Sequence, residues 1–309
     1  MPYVLFAIMC LIYGTTFLAI KVGLNAGLAP IYSAGVRFVA AALIMLCLLK
    51  LSRRLKTPGS AKAWGQITVI ALLTTTLCFA GVYWAEQYIS SGMAALISAG
   101  APIAIALLYA TNQGKKITPD LWLGFALALS GVLLVVLPTL QMSLAWAVLL
   151  PMGAVVVGEL FYSIGSVRCA DLVRGGEVDA LSLNAWQSLI GGLGLLLLSA
   201  PWEPAAWTNA AWMSQSTAWL SLSFLSVMGT VVAASIYFWL IERMNPVFAS
   251  LWLYISPVIA VVVGAMVLHE PIGNTTLPGT ALIVCGVFLA NNGLPLMRQW
   301  MNRRLQPSA

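Results

Sequence analysis

Ten runs of mostly apolar residues follow one another along the chain, beginning near Val4, Ile31, Gln66, Met93, Leu121, Ala145, Leu181, Thr217, Val247 and Leu277. Each is close to the roughly 20 residues that a helix needs to cross a bilayer. Unpaired backbone groups cannot face hydrocarbon, so the spans must be helices or a closed barrel, and runs of this length mean helices. Connections are short and leave no room for a separate soluble domain. The pattern predicts an all-α integral membrane protein of ten transmembrane helices. The first run is read as a retained helix rather than a secretory signal, because nothing basic precedes it, Lys21 lies at its far end and nine more spans come after it.

The polar punctuation repeats. At an offset of 155, Trp84 pairs with Trp239, Ala94 with Ala249, Leu96 with Leu251, Pro102 with Pro257, Gly124 with Gly279 and Gly131 with Gly286. Earlier helices match at an offset of 150, where Arg37 meets Gln187, and at 147, where Lys21 meets Arg168. Five spans per copy is an odd number, so the second copy is expected to run inverted through the membrane. The halves are placed at residues 3–140 (spans one to five) and 145–297 (spans six to ten), with a cytoplasmic tail at 298–309. Inverted repeats are how many secondary transporters build two gates around one midplane site.

Composition narrows the picture. Apolar residues make up 61% of the 309 positions and charged residues 8%, far below the roughly 25% charged usage of a soluble domain. The net charge of +6 does not indicate nucleic acid, because thirteen of the fifteen basic residues fall on one side of a ten-span topology. By the positive-inside rule both termini are cytoplasmic, as expected for a multi-pass protein of a bacterial inner (plasma) membrane. Five scattered cysteines and one histidine exclude zinc, haem and disulfide readings, so no cofactor and no metal is expected.

Several motifs carry a family resemblance. These are Tyr13-Gly14 with Lys21 in span one, Arg37-Phe38 in span two, and Ala94-Ala95-Leu96 running to Pro102 in span four. Leu251 running to Pro257, then His269-Glu270-Pro271 and Gly279 to Gly286, complete the set. Each half resembles an EamA-type unit of the drug/metabolite transporter (DMT) superfamily. The resemblance implies a ten-helix inverted-repeat fold with helices one to four and six to nine around a central cavity and five and ten peripheral. It also implies export of small metabolites such as amino acids. Two departures are Tyr13, where the family often has tryptophan, and Gly114-Lys115-Lys116, where a glycine-glutamate pair is frequent.

Charges inside the membrane cost about 2.5–3.5 kcal/mol each at a helix centre and so mark functional candidates. Lys21 sits near a span end and can snorkel to the interface. Arg37 can hold a substrate carboxylate through a two-pronged contact, or lock helices in an ion pair. Glu159 is the principal candidate. A carboxylate taken out of water favours its neutral form, which suits proton exchange or an ammonium ligand; the alternative is a fixed pairing without a transport role. At about 1.5 Å per residue, Arg37 and Glu159 lie near 10 and 20 Å from the outward side, too far apart for a static clamp on an α-amino acid. Further candidate substrate contacts are Tyr13, Thr16, Tyr83, Trp84, Ser98, Tyr162, Trp186, Gln187, Trp239, Trp252 and Tyr254, although rings such as these also serve packing. Pro102 and Pro257, each removing a helix hydrogen bond, are the candidate hinges. Glu270 is read as structural, attracting a base such as Lys21.

The leading function is a secondary transporter, an exporter of small metabolites working by alternating access, with membrane lipid, a small-molecule substrate and protons as partners. Efflux of drugs or amphipathic compounds, or nucleoside transport, is the alternative on the same fold. No nucleotide-binding motif is present to drive transport by ATP. The reading is not an enzyme, since Asp171, Glu177 and Asp179 form no completed catalytic cluster; a channel is the other rival. The sequence sets neither substrate nor oligomeric state, and a monomer is compatible with it.

Overall fold

The structure, a computed structural model, describes residues 2–112, 114, 119–142, 146–208, 211–269 and 274–289. All regular structure among them is helical. We number the helices α1 (Pro2–Asn25), α2 (Pro30–Leu51), α3 (Ala61–Ala85), α4 (Ser91–Asn112), α5 (Pro119–Met142), α6 (Trp146–Arg174), α7 (Ala180–Trp202), α8 (Ser216–Arg243), α9 (Pro246–Leu268) and α10 (Thr276–Phe288). Eight of these, all but α5 and α10, hold a stretch long and apolar enough to cross a membrane, and α5 and α10 contain shorter apolar stretches. The protein is a multi-span membrane protein. Helix starts fall close to the apolar runs because turn and cap residues such as Pro30, Ser60, Ser90, Asp179 and Asn245 stand just before them.

Two helices depart from α geometry at matching places. Leu72–Leu77 in α3 and Leu225–Ala234 in α8 are π-helical. A π turn inserts an extra residue and rotates the remainder of the helix, so that consecutive side chains share one face. Thr74, Thr75 and Thr76 all hydrogen-bond to α7 in consequence. Glycines receive them: a Cβ on Gly191 would lie 2.4 Å from Thr75 Cβ, and one on Gly194 2.5 Å from Thr76 Oγ1. Between lipid-facing helices such close approach replaces the hydrophobic drive available in water.

The two prolines sit differently. The α4 helix breaks at Ala99–Gly100, so Pro102 stands in the first turn of its second segment. The α9 break is at Leu251, and Pro257 lies well inside the second segment there, Trp252–Leu268. Equivalent sequence positions therefore do not give equivalent kinks. Gly100 supplies a weak point directly before Pro102, whereas its counterpart at the 155 offset is Ile255.

At one end of the bundle, which carries Lys50, Arg53, Lys56, Arg174 and Arg243, the α2–α3 connection is tied to α6–α7. Lys56 N–H donates to Ser182 Oγ at 2.9 Å and Ser60 Oγ to Glu177 Oε2 at 2.8 Å. At the other end, Lys21 Nζ donates to the carbonyls of Glu86 and Ile89, capping the end of α3. The expected Lys21 partner, Glu270, and the Lys115-Lys116 pair lie outside the described residues.

Candidate functional site

Side chains from α1, α2, α3, α6, α7, α8 and α9 line a cavity within the bundle. Five expected contacts, Tyr13, Thr16, Tyr162, Gln187 and Trp252, line it together with Arg37 and Glu159. Contrary to what the family resemblance implies, α4 supplies none of the described wall. It packs flush against α6 through small residues, with Ser163 Oγ donating to the Ala101 carbonyl at 3.2 Å. Among the described residues, α5 and α10 contribute none of the lining.

Arg37 is 2% exposed and anchored on three sides. Its Nε donates to Thr230 Oγ1 at 3.2 Å and its Nη1 to Tyr83 OH at 3.0 Å. Its guanidinium carbon lies 4.7 Å from the centre of the Phe38 ring and 5.3 Å from that of Phe79, a cation–π arrangement. Gly229 leaves space beside Nη2, since a Cβ there would approach within 3.0 Å. No carboxylate among the described residues pairs with Arg37. The ion-pair alternative for this residue thus has no partner in the described part of the bundle.

Glu159, 8% exposed, faces the cavity from α6. Tyr162 and Tyr237 stack near it with ring centres 5.9 Å apart, and Tyr237 OH donates to Ser166 Oγ at 3.0 Å. Ser98 sits behind the wall, its buried hydroxyl beside the Glu159 carboxyl but without a hydrogen bond of good geometry. Tyr13 and Trp252 stack across the cavity with centres 4.2 Å apart.

Gln187 belongs to a buried polar network. Its Oε1 accepts from Thr75 at 2.7 Å and Thr74 at 3.1 Å, and its Nε2 donates to Asn184 Oδ1 at 3.3 Å. Asn184 in turn donates to the Thr230 carbonyl at 3.1 Å, so the network runs from α3 through α7 to α8.

Five proposed contacts stand away from the wall besides Ser98. Tyr83 holds Arg37 from outside the lining. Trp84 packs on Tyr88 near the end of α3, with centres 5.3 Å apart. Trp186 meets Trp64 edge-on and donates its indole N–H to the Lys56 carbonyl at 3.2 Å, outside the lining. Trp239 lies under Arg243 at 5.8 Å. Tyr254 is packed with Leu96, Ile103 and Ile283, between α4, α9 and α10. Conversely, Thr74, Cys78, Phe79, Ser166, Gly229 and Tyr237 line the cavity although the sequence pattern did not single them out as contacts.

Relatives match the chain over most of their length. The uncharacterized inner membrane transporter YedA of Escherichia coli is 26% identical over 284 residues, covering 92% of this chain and 88% of YedA. The protein PagO of Salmonella typhimurium is 28% identical over 294 residues, covering 93% and 91%. An uncharacterized transporter of Synechocystis is 26% identical over 293 residues, covering 91% and 86%. A solved crystal structure 18% identical to the chain has the same fold, with a TM-score of 0.68 over 99% of both chains. Because residues 1–137 and 145–292 each match the EamA-like transporter family, the match takes in both halves that meet at the cavity, and the protein belongs to that family within the DMT superfamily.

Proposed function

We propose that the protein is a secondary transporter that exports small metabolites, amino acids or related compounds among them, by alternating access around this cavity. The observation that carries the reading is a buried guanidinium and a buried carboxyl lining one cavity without ion pairs to each other or to other described residues. Two uncompensated charges in a membrane interior are costly unless a ligand, a proton or water meets them. Arg37 supplies the anion site. Glu159 supplies an ammonium site or the coupling proton. The cytoplasmic placement of both termini, in a bacterial inner membrane, follows from the one-sided distribution of basic residues.

Purified protein in liposomes is the test. Saturable counterflow of a small zwitterion is expected, and unsaturable, voltage-driven flux would instead make the protein a channel. With proton coupling through Glu159, the pH dependence of flux flattens in Glu159→Gln; a variant with unchanged flux and pH profile removes Glu159 from coupling. A second reading, efflux of amphipathic or planar compounds, draws on the aromatic share of the wall, which includes Phe17, Phe38, Phe79, Tyr162, Tyr237 and Trp252. Competition by such compounds that survives Arg37→Gln would favour it.

A further inference from the structure

We infer that Asn184 is a positioning residue for the anion site: its side chain holds Thr230, and Thr230 holds the guanidinium of Arg37. The inference rests on the transport reading above, in which Arg37 meets the substrate, and extends it to a fully buried residue outside the cavity lining.

The contacts have a fixed direction. On α7, Asn184 Nδ2 donates to the Thr230 carbonyl and to Ser235 Oγ, each at 3.1 Å. A carbonyl can only accept, so the amide must turn its nitrogen towards α8. Its Oδ1 then faces the other way, where Gln187 Nε2 donates to it at 3.3 Å and Ser188 Oγ at 3.2 Å. Two donated and two accepted bonds use the full capacity of the Asn184 amide. Thr230 is set in the same manner. Its hydroxyl donates to the Leu225 carbonyl at 3.2 Å, inside the π segment, which leaves a lone pair for Arg37 Nε at 3.2 Å.

Gln187 stands behind this relay. Its Nε2 is committed to Asn184 Oδ1 and, at 3.2 Å, to Ser188 Oγ, while its Oε1 has Thr75 Oγ1 at 2.7 Å and Thr74 Oγ1 at 3.1 Å. All four positions of the amide are occupied, so it offers a ligand no free donor or acceptor although it lines the cavity. Arg37 differs. Its Nε and Nη1 are engaged, and no hydrogen bond reaches Nη2 among the described residues. A two-pronged contact with a carboxylate depends on the plane of the guanidinium, and Thr230 and Tyr83 set that plane. The Asn184 bond to the Thr230 carbonyl gives the π segment a fixed point directly at this anchor. Without it, the hydroxyl that orients Nε is secured by its bond to Leu225 alone.

Leucine and leucinamide, which differ as carboxylate against carboxamide, separate positioning from folding. In counterflow by the wild-type protein in liposomes, leucine is expected to compete about tenfold better, the worth of one charge-assisted contact. Arg37→Gln should abolish this preference. Asn184→Leu, similar in size but apolar, and Asn184→Ser, polar but too short to reach, should each reduce it to about threefold or less. Ser235→Ala, which removes only the other Nδ2 partner, should keep it; lost packing alone would slow both ligands alike and leave the ratio unchanged. A second readout needs no substrate. With arginine isotope-labelled at Nε, the N–H signal missing from Arg37→Gln identifies Arg37. Its exchange with solvent should quicken about tenfold in the Asn184 variants, as in Thr230→Val, and stay slow in Ser235→Ala. Thermal unfolding reports which variants are folded. Unchanged exchange in a folded Asn184 variant overturns the inference, whatever the flux. Quickened exchange without saturable flux of either ligand in the wild type would overturn amino-acid transport and leave Asn184 as the residue that holds Arg37 in place.

Discussion

Arg37, Glu159 and Gln187 were legible in the sequence because a charge or an amide within an apolar run has to be explained by something other than lipid. The aromatic residues were not. Trp186 and Gln187 are neighbours in sequence, yet one packs on Trp64 and the other lines the cavity. A helix that is apolar nearly all round gives no sign of which face turns inward, so Trp84, Trp239 and Tyr254 could not be separated from Tyr13 and Trp252. Glycine is more telling at this scale. The missing Cβ of Gly229 is what leaves Arg37 Nη2 its space, and Gly229→Ala would bring a methyl to 3.0 Å from that nitrogen and 3.4 Å from Thr16 Cγ2. We expect this substitution to raise KM for a carboxylate-bearing substrate several-fold while the melting temperature changes little. An unchanged KM would mean that the guanidinium does not meet the substrate.

Among elements, the spans and their order could be read from hydrophobicity alone, but the π segments could not. Adding one residue to a turn leaves an apolar stretch apolar, so Leu72–Leu77 and Leu225–Ala234 carry no mark in composition. The break in α4 before Pro102 was partly legible and that in α9 was not, because proline marks a weak hydrogen bond without saying where the helix yields. The start of α2 shows how one element is secured by another. Its N-cap position, Ala29, has no capping side chain and Pro30 has no N–H, which leaves the N–H groups of Ile31 and Tyr32 unmet within the helix. Glu203, just past α7, takes both, at 2.9 and 2.7 Å. Burial pushes the Glu203 carboxyl above its ordinary value, outweighing the two backbone N–H bonds that pull it down. A carboxyl raised in the folded state takes up its proton there before the unfolded chain does, so the native state gains stability as pH falls from above that raised value to the ordinary carboxylate range. Measured against Glu203→Gln, which does not titrate, the wild-type melting temperature should therefore rise in relative terms on acidification through that window. A relative fall would show that the capping bonds outweigh burial. Glu203→Ala removes the cap and should cost about 1 kcal/mol at neutral pH.

Across the whole molecule, the internal repeat seen in sequence recurs as pairs of contacts that exchange when the halves exchange. Arg37 on Thr230 becomes Gln187 on Thr75 when the 150 and 155 offsets are applied, and both hydrogen bonds are present. The contact of Gly131 with Gly279 becomes that of Gly286 with Gly124: a Cβ on Gly131 would lie 2.6 Å from the Gly279 carbonyl oxygen, and one on Gly286 2.5 Å from that of Gly124. The first pair lies at the cavity and is chemically unequal, cation against amide. The second lies between α5 and α10, away from the cavity, and is equal. Substitution should distinguish the two roles. In α5 and α10 the neighbour is backbone, which cannot rotate aside, so Gly131→Val and Gly286→Val should each lower stability by about 1–3 kcal/mol, the usual cost of overpacking. The two losses should be similar in thermal unfolding, and neither should alter KM. Gly153→Val, where nothing lies within 4 Å, serves as the control with little effect. Thr75→Val and Thr230→Val should behave oppositely to one another, because only the second removes an anchor of Arg37. If both leave KM alike, the asymmetry between Arg37 and Gln187 does not set substrate recognition, and the two halves contribute equally to the site.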